Sequence, residues 1–155
     1  MTQKTRINAQ EGKQELFIFR EFDLPLELLF RAYTEPEIVE QWMGNKVLKL
    51  ECRNHGSYQF ETSDADGNVL LRSNGVIHEF GMNKKITRTF EMENTPFPVQ
   101  LEFLEFEKTS DDTSNLTIHI IYKSVADRDK MLQLPFAKGI NMAHNKLQEV
   151  VGKLK

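Results

Sequence analysis

The stretch from Phe136 to Leu154, FAKGINMAHNKLQEVVGKL, decides the architecture. Phe136, Ile140, Ala143, Leu147, Val150 or Val151, and Leu154 recur at helical spacing, so they form one apolar stripe over about five turns. Pro135 breaks or restarts the helix at its start, and Asp127 is positioned to cap the helical segment upstream. A long helix with one apolar face must cover something. The rest of the chain has to supply a large apolar surface.

That surface is expected between Lys46 and Lys123, where the period falls to two and turn signals cut the chain into about six strands of an antiparallel meander. Asp66-Gly67 accepts the positive φ angles of a two-residue hairpin, which sets Tyr58 opposite Gly75 and Phe60 opposite Ser73. A turn near Met82-Asn83 sets Ile77 opposite Arg88 and Gly75 opposite Phe90. A looser connection through Pro96 and Pro98 sets Phe90 near Leu101 and Arg88 near Phe103. The polar turn at Ser110-Asp111 then sets Phe103 near Ile118 and Val99 near Tyr122. Alternation across this register predicts one shared inner face: Tyr58, Phe60, Ile77, Glu79, Ile86, Arg88, Phe90, Val99, Leu101, Phe103, Ile118, Ile120 and Tyr122. Gly75, between Tyr58 and Phe90, either leaves room for two rings or marks a bulge.

Ahead of the meander, Leu16-Phe17-Ile18-Phe19 reads as a strand ending near Phe22, with Asp23 and Pro25 opening a helix. Leu26, Leu29, Phe30 and Tyr33 form its apolar stripe. Thr34 with Glu37 is a capping-box pattern for a second short helix that carries Ile38, Val39 and Trp42 and stops at Gly44. The fold class is therefore α+β: an antiparallel sheet wrapped around a long C-terminal helix, with two short helices after the first strand. Residues 1–14 read as a polar tail and 15–155 as a single domain.

Composition bounds the function. The chain has 155 residues, 39% hydrophobic and 28% charged, which suits one globular domain large enough to hold an internal pocket. Its single cysteine, Cys52, cannot close an intrachain bridge, and its longest uninterrupted apolar run, Leu16 to Phe19, is far short of the roughly 20 residues that span a bilayer. The first 14 residues lack the apolar core of a signal peptide, so the expected setting is cytoplasmic. With a net charge of −3 and no run of basic residues, no field draws in nucleic acid.

Several of these residues also carry a family resemblance. Arg20-Glu-Phe22-Asp-Leu-Pro25, then Leu29-Phe30, then Pro36 through Gln41-Trp42-Met-Gly44, resemble the entry motif of the AHSA family, homologues of the C-terminal part of the Hsp90 ATPase activator. Gly56 with Tyr58 and Phe60, Asp66-Gly67, Gly75-Val-Ile-His-Glu79, Thr89-Phe90 and Gly139 follow in the family's order, while His55, Met43 and Ile140 depart from it. The resemblance runs from about Glu15 to Leu154. It implies the helix-grip fold of the START-like, or SRPBCC, superfamily, often with a hydrophobic ligand cavity. It implies function only weakly, since relatives bind lipids, hormones or polyketides and a few are cyclases.

Chemistry-bearing constellations are sparse. His55, His78, His119 and His144 are scattered without metal-ligand spacing, so no metal or other cofactor is expected. His78 and His119 are expected on the outer face, His119 opposite Glu102, and His144 at the edge of the terminal helix's apolar stripe. Asp64-Ala-Asp66-Gly67-Asn68 has its glycine too early for a calcium loop and reads as a turn. Glu79 and Arg88 fall diagonally on neighbouring strands, either paired beside a wet cavity or turned to solvent at the rim. Trp42 reads either as a pocket lid or as core.

The leading expectation is a domain that binds a hydrophobic small molecule between helix and sheet. Its candidate ligand-binding residues are Trp42, Tyr58, Phe60, Ile77, Glu79, Arg88, Phe90, Phe103, Tyr122, Phe136 and Ile140. Two alternatives stand beside it. One is a cyclase or hydrolase using Glu79 as acid or base, with no second catalytic partner in sight. The other is a protein-interaction or chaperone-cofactor domain, or a homodimer, using Leu104, Phe106 and Ile121 on the expected outer face.

Overall fold

The structure, a computed structural model, describes residues 4–155. Its strands are β1 (Arg6–Asn8), β2 (Glu15–Phe22), β3 (Lys46–Leu50), β4 (Ser57–Ser63), β5 (Val69–Gly81), β6 (Lys85–Met92), β7 (Gln100–Lys108) and β8 (Ser114–Ile121). They form a single antiparallel sheet in the order β1-β2-β8-β7-β6-β5-β4-β3. Helices α1 (Leu26–Thr34) and α2 (Pro36–Met43) lie between β2 and β3, and α3 (Val125–Gln133) and α4 (Phe136–Gly152) close the chain. β3 lies at one edge of the sheet while β2 is one strand from the other, so α1 and α2 carry the chain across its concave side. There α1 packs on β7 and β8, and α4 packs on α1, α2 and α3.

Apolar periodicity builds each layer. In α1, Phe30 sets its ring edge-on against Phe106 at 5.0 Å, and Tyr33 meets Phe106 at 5.5 Å and Trp42 at 5.3 Å. Gly44 closes α2 at φ 66°. In α4 the C-terminal half is packed tight, with Leu147 and Val151 fully buried. Its N-terminal half is looser: Phe136, Ile140 and Ala143 are only partly buried. This difference makes room for the site described below.

The expected register holds across β4, β5 and the first part of β6, with Tyr58 opposite Gly75, Phe60 opposite Ser73 and Ile77 opposite Arg88. It then departs in two places. A bulge after Ile77 pairs Glu79 with Thr87, so Phe80 turns in against Phe30 and Glu79 turns out. Across β6–β7 and again across β7–β8 the pairing is one residue from the expected one: Phe90 faces Gln100, Arg88 faces Glu102 and Leu104 faces Ile118. Val99, Leu101 and Phe103 therefore leave the inner face, while Glu102, Leu104 and Phe106 join it. The cause is the rings of α1: Phe30 and Tyr33 both pack on Phe106, and Leu104 on the same face is fully buried. Of the patch expected outside, only Ile121 stays there.

Smaller corrections concern caps and turns. Thr34 ends α1 and donates back to the Phe30 carbonyl, so the capping box is not formed, and Pro36 opens α2 after Glu35. Asp23 caps nothing; its backbone N–H and carbonyl are both held by the Gln148 side chain. Ser124, not Asp127, caps α3, accepting from the Asp127 N–H at 3.1 Å. The Asp66-Gly67 turn is wider than two residues, with Asp64 accepting from the Asp66 and Asn68 N–H groups. Within the polar N-terminal stretch, β1 is a short edge strand on β2 that the sequence does not advertise.

Candidate functional site

A cavity of about 280 Å³ lies between the inner face of the sheet and the overhanging half of α4. Ile18, Ile118 and Ile120 form its floor, and Phe60, Phe90 and Met92 a side wall. Val39, Trp42 and Met43 of α2, Met131 of α3 and Phe136, Ile140 and Ala143 of α4 close it from above. Trp42 is core and wall at once: it is 7% exposed, and its indole Nε1–H donates to the Ala32 carbonyl at 2.7 Å. That bond satisfies the ring's one polar atom and fixes its face toward the cavity's apolar lining.

Four polar side chains besides Tyr33 interrupt the lining: Arg88, Gln100, Glu102 and His144. Arg88 Nε donates to Glu102 Oε1 at 2.9 Å, and Gln100 Nε2 donates to Glu102 Oε2 at 2.7 Å. Both carboxylate oxygens are thereby engaged. The Arg88 guanidinium lies over the Tyr58 ring at 5.2 Å, and Tyr58 is pinned by its hydroxyl donating to the Thr89 carbonyl. Burial opposes the charge on Arg88, but the Glu102 carboxylate, paired and hydrogen-bonded to it, keeps it protonated. Among the described residues no acceptor meets its two terminal nitrogens, and the Tyr33 hydroxyl has no hydrogen-bond partner. Burial holds the Tyr33 phenol neutral far above its usual range.

Gly75 explains why Tyr58 fits there. A Cβ at this position would stand 2.0 Å from the Thr89 carbonyl oxygen and 2.6 Å from the Tyr58 ring. The missing side chain makes room for the Tyr58 ring, one of the two rings the sequence-based reading expects there; the other close neighbour is the Thr89 carbonyl, not Phe90.

His144 lines the cavity from α4, and its Nδ1 shares a hydrogen bond of 2.7 Å with Thr5 Oγ1. Behind it Arg20 is 1% exposed, donating to Thr5 Oγ1 at 3.2 Å and Asn141 Oδ1 at 3.4 Å. No carboxylate pairs with Arg20 among the described residues, and residues 1–3 contain none. Burial first, and the Arg20 charge second, push the His144 pKa down to about 4.

Of the candidate residues, Trp42, Phe60, Arg88, Phe90, Phe136 and Ile140 meet around the cavity. Tyr58, Ile77 and Tyr122 are buried beneath or beside it without lining it. Glu79 and Phe103 are not part of it. Glu79 pairs with Lys85 at 2.9 Å on the outer side, where that contact lowers its pKa, so it reaches neither Arg88 nor any ligand in the cavity. Phe103 lies on the outer face against His119, which also stacks on Phe17 at 4.2 Å and approaches Glu15 at 3.5 Å instead of Glu102. Among the polar lining residues, sequence reasoning missed Tyr33, Gln100, Glu102 and His144. The one available signal was that Gln100 and Glu102 share parity with Leu104 and Phe106.

Cys52 is half-buried, its thiol directed at the Thr34 carbonyl and its pKa raised by burial. Among the described residues no group of three His, Cys, Asp or Glu side chains is arranged to hold a metal ion, and no helix is long and apolar enough to cross a membrane.

Solved structures share this architecture. A crystal structure of a Mycobacterium smegmatis protein superposes with a TM-score of 0.82 at 19% identity, covering 95% of this chain and 96% of that one. A Rhodobacter sphaeroides protein gives 0.83 at 17% identity, covering 97% and 100%. A Nitrosomonas europaea protein gives 0.78 at 20% identity, covering 96% and 100%. At these identities the likeness establishes the fold, a sheet gripping a C-terminal helix. No curated protein matches the sequence. The family described as Activator of Hsp90 ATPase homolog 1-like protein matches residues 23–152, nearly the whole folded domain, and the chain belongs to that family.

Proposed function

We propose that the protein binds a small apolar or amphipathic molecule in the cavity beneath α4. One observation carries this reading: a hollow of about 280 Å³ with apolar walls holds, on one side, an arginine whose terminal nitrogens have no acceptor among the described residues. The volume of about 280 Å³ falls just below the roughly 300–1,000 Å³ of small-molecule sites, and a few convergent polar groups in an apolar lining are their usual signature. Affinity would come from burial against Phe60, Phe90, Phe136 and Ile140, at about 25 cal/mol per Å² before association costs. The lone thiol of Cys52 supports a reducing, cytoplasmic setting.

The test is native mass spectrometry of protein purified from its own host, with a thermal-shift screen of apolar and amphipathic compounds beside it. A ligand at 100 times its Kd adds about 2.7 kcal/mol, and at roughly 2–4 °C per kcal/mol the shift is readable. A retained mass or such a shift supports the reading. A bare mass with flat melting across the screen contradicts it.

A second reading, a protein-interaction or chaperone-cofactor domain, draws support from the family and from the outer-face stack of Phe17, His119 and Phe103, where Phe17 is 38% exposed. A pull-down with Hsp90, repeated with Phe17→Ser, tests it. Capture lost in the variant supports the reading, and no capture above background contradicts it.

A further inference from the structure

We infer that the cavity selects an uncharged molecule with a hydrogen-bond acceptor at its polar end, a ketone, ester or amide oxygen, and rejects the corresponding carboxylate. This inference rests on the cavity-binding reading and goes further by fixing the charge and hydrogen-bonding character of the ligand.

The argument begins with which atoms are already used. Glu102 neutralises Arg88 from within the protein, one carboxylate oxygen held by Arg88 Nε at 2.9 Å and the other by Gln100 Nε2 at 2.7 Å. The pair is therefore electrically complete before anything binds. A carboxylate ligand would set a second anion beside the same guanidinium, leaving a net negative charge in apolar surroundings, which is costly without a further cation. Arg20 cannot donate to it, because it lies behind His144 and does not line the cavity, and its charge acts there only from behind that ring. His144 cannot either, since at neutral pH it is uncharged.

Hydrogen bonding remains open. The terminal nitrogens of Arg88 and the Tyr33 hydroxyl are donors with no protein acceptor among the described residues. Tyr33 lines the same cavity and lies close enough to Arg88 and Glu102 for both charges to act on its phenol. A neutral oxygen placed there accepts from a charged donor without disturbing the Glu102 pair, and the apolar remainder fills the space toward Phe136 and Ile140.

Three isosteric probes separate the possibilities: 4-phenylbutan-2-one, 3-phenylpropanoate and (3-methylbutyl)benzene, which share a phenethyl body and differ only in the end group. Their affinities are read at pH 7.5 by amide chemical-shift titration of the wild type and of an Arg88→Met/Glu102→Leu double variant. The ketone is expected to bind about tenfold tighter than the hydrocarbon, the worth of one good hydrogen bond, and at least about tenfold tighter than the carboxylate. In the double variant the ketone's advantage over the hydrocarbon falls, because only the Tyr33 hydroxyl remains to donate. A carboxylate that binds as tightly as the ketone overturns the inference, and so does a ketone no better than the hydrocarbon in the wild type; in both cases the cavity reading survives. Failure of all three to bind overturns the inference and the cavity reading together.

Discussion

Arg88 on β6 and Glu102 on β7 are direct partners in the antiparallel ladder, and their side chains close a 2.9 Å ion pair on the concave face of the sheet. An ion pair on an inner face is not there for stability alone, because two charges lose hydration that their attraction only partly returns. Gln100 and Tyr58 complete its contacts, and the Arg88 nitrogens with no acceptor among the described residues define the polar side of the cavity.

Removing one partner strands the other. Glu102→Ala is expected to lower stability by about 3–5 kcal/mol, whereas Arg88→Met/Glu102→Leu, which replaces both charges with apolar volume, stays within about 1–2 kcal/mol of wild type. Urea denaturation of the two variants checks this. A Glu102→Ala loss below that of the double variant would contradict the pairing.

His144 makes stability depend on pH with a definite sign. Its folded pKa, near 4, lies below the ordinary 6.5, so the unfolded chain binds the proton more readily. The stabilisation is fully present above pH 6.5 and is lost as the pH falls toward 4, on the order of 3 kcal/mol in all. His144→Gln, which keeps an acceptor for Thr5, should flatten this part of the stability curve. Arg20→Met removes the cation beside the ring and should raise the His144 pKa, which ring-proton NMR titration reads directly.

Two glycines behave oppositely. Gly75→Ala places a carbon against a backbone carbonyl and the Tyr58 ring, and costs about 3 kcal/mol, the upper end of overpacking. Gly139→Ala, in the exposed face of α4 with nothing within 4 Å, gains about 1 kcal/mol from helix propensity. Melting temperatures that move down and up respectively confirm the assignment.

Helix α4, the pair α1–α2 and the six-strand meander were legible because each has one dominant apolar period. The inner face was legible only where one parity carries the hydrophobic residues, as in β8 with Ile118 and Ile120. In β7 the signal is split: Leu101 and Phe103 fall on one parity, Leu104 and Phe106 on the other. Only contact with Phe30 and Tyr33, on a helix far away in sequence, settles which set is buried. The bulge that turns Glu79 outward leaves no mark in the alternation before it. Glu102 was hidden for a related reason: a charge is assigned to solvent until its partner across the ladder is known, and the one-residue slip concealed that partner. His144 was placed at the core edge, but the Thr5 hydroxyl that completes its hydrogen bond is far off in sequence.

Filling the cavity should separate binding from folding. Ala143→Leu adds apolar volume where α4 overhangs the sheet, and is expected to keep or raise the melting temperature while abolishing uptake of the ketone probe. A destabilised variant that still binds would argue for a ligand site elsewhere.

The chain's one tryptophan, Trp42, lines the cavity and is a built-in reporter. The most direct measurement is therefore a titration of 4-phenylbutan-2-one followed by Trp42 fluorescence and by the single indole N–H resonance, in wild type and in Ala143→Leu. Saturable changes in the wild type that are absent in the variant are predicted. No change at Trp42 up to millimolar probe, or equal changes in both proteins, would contradict the claim that the space beneath α4 is a binding site.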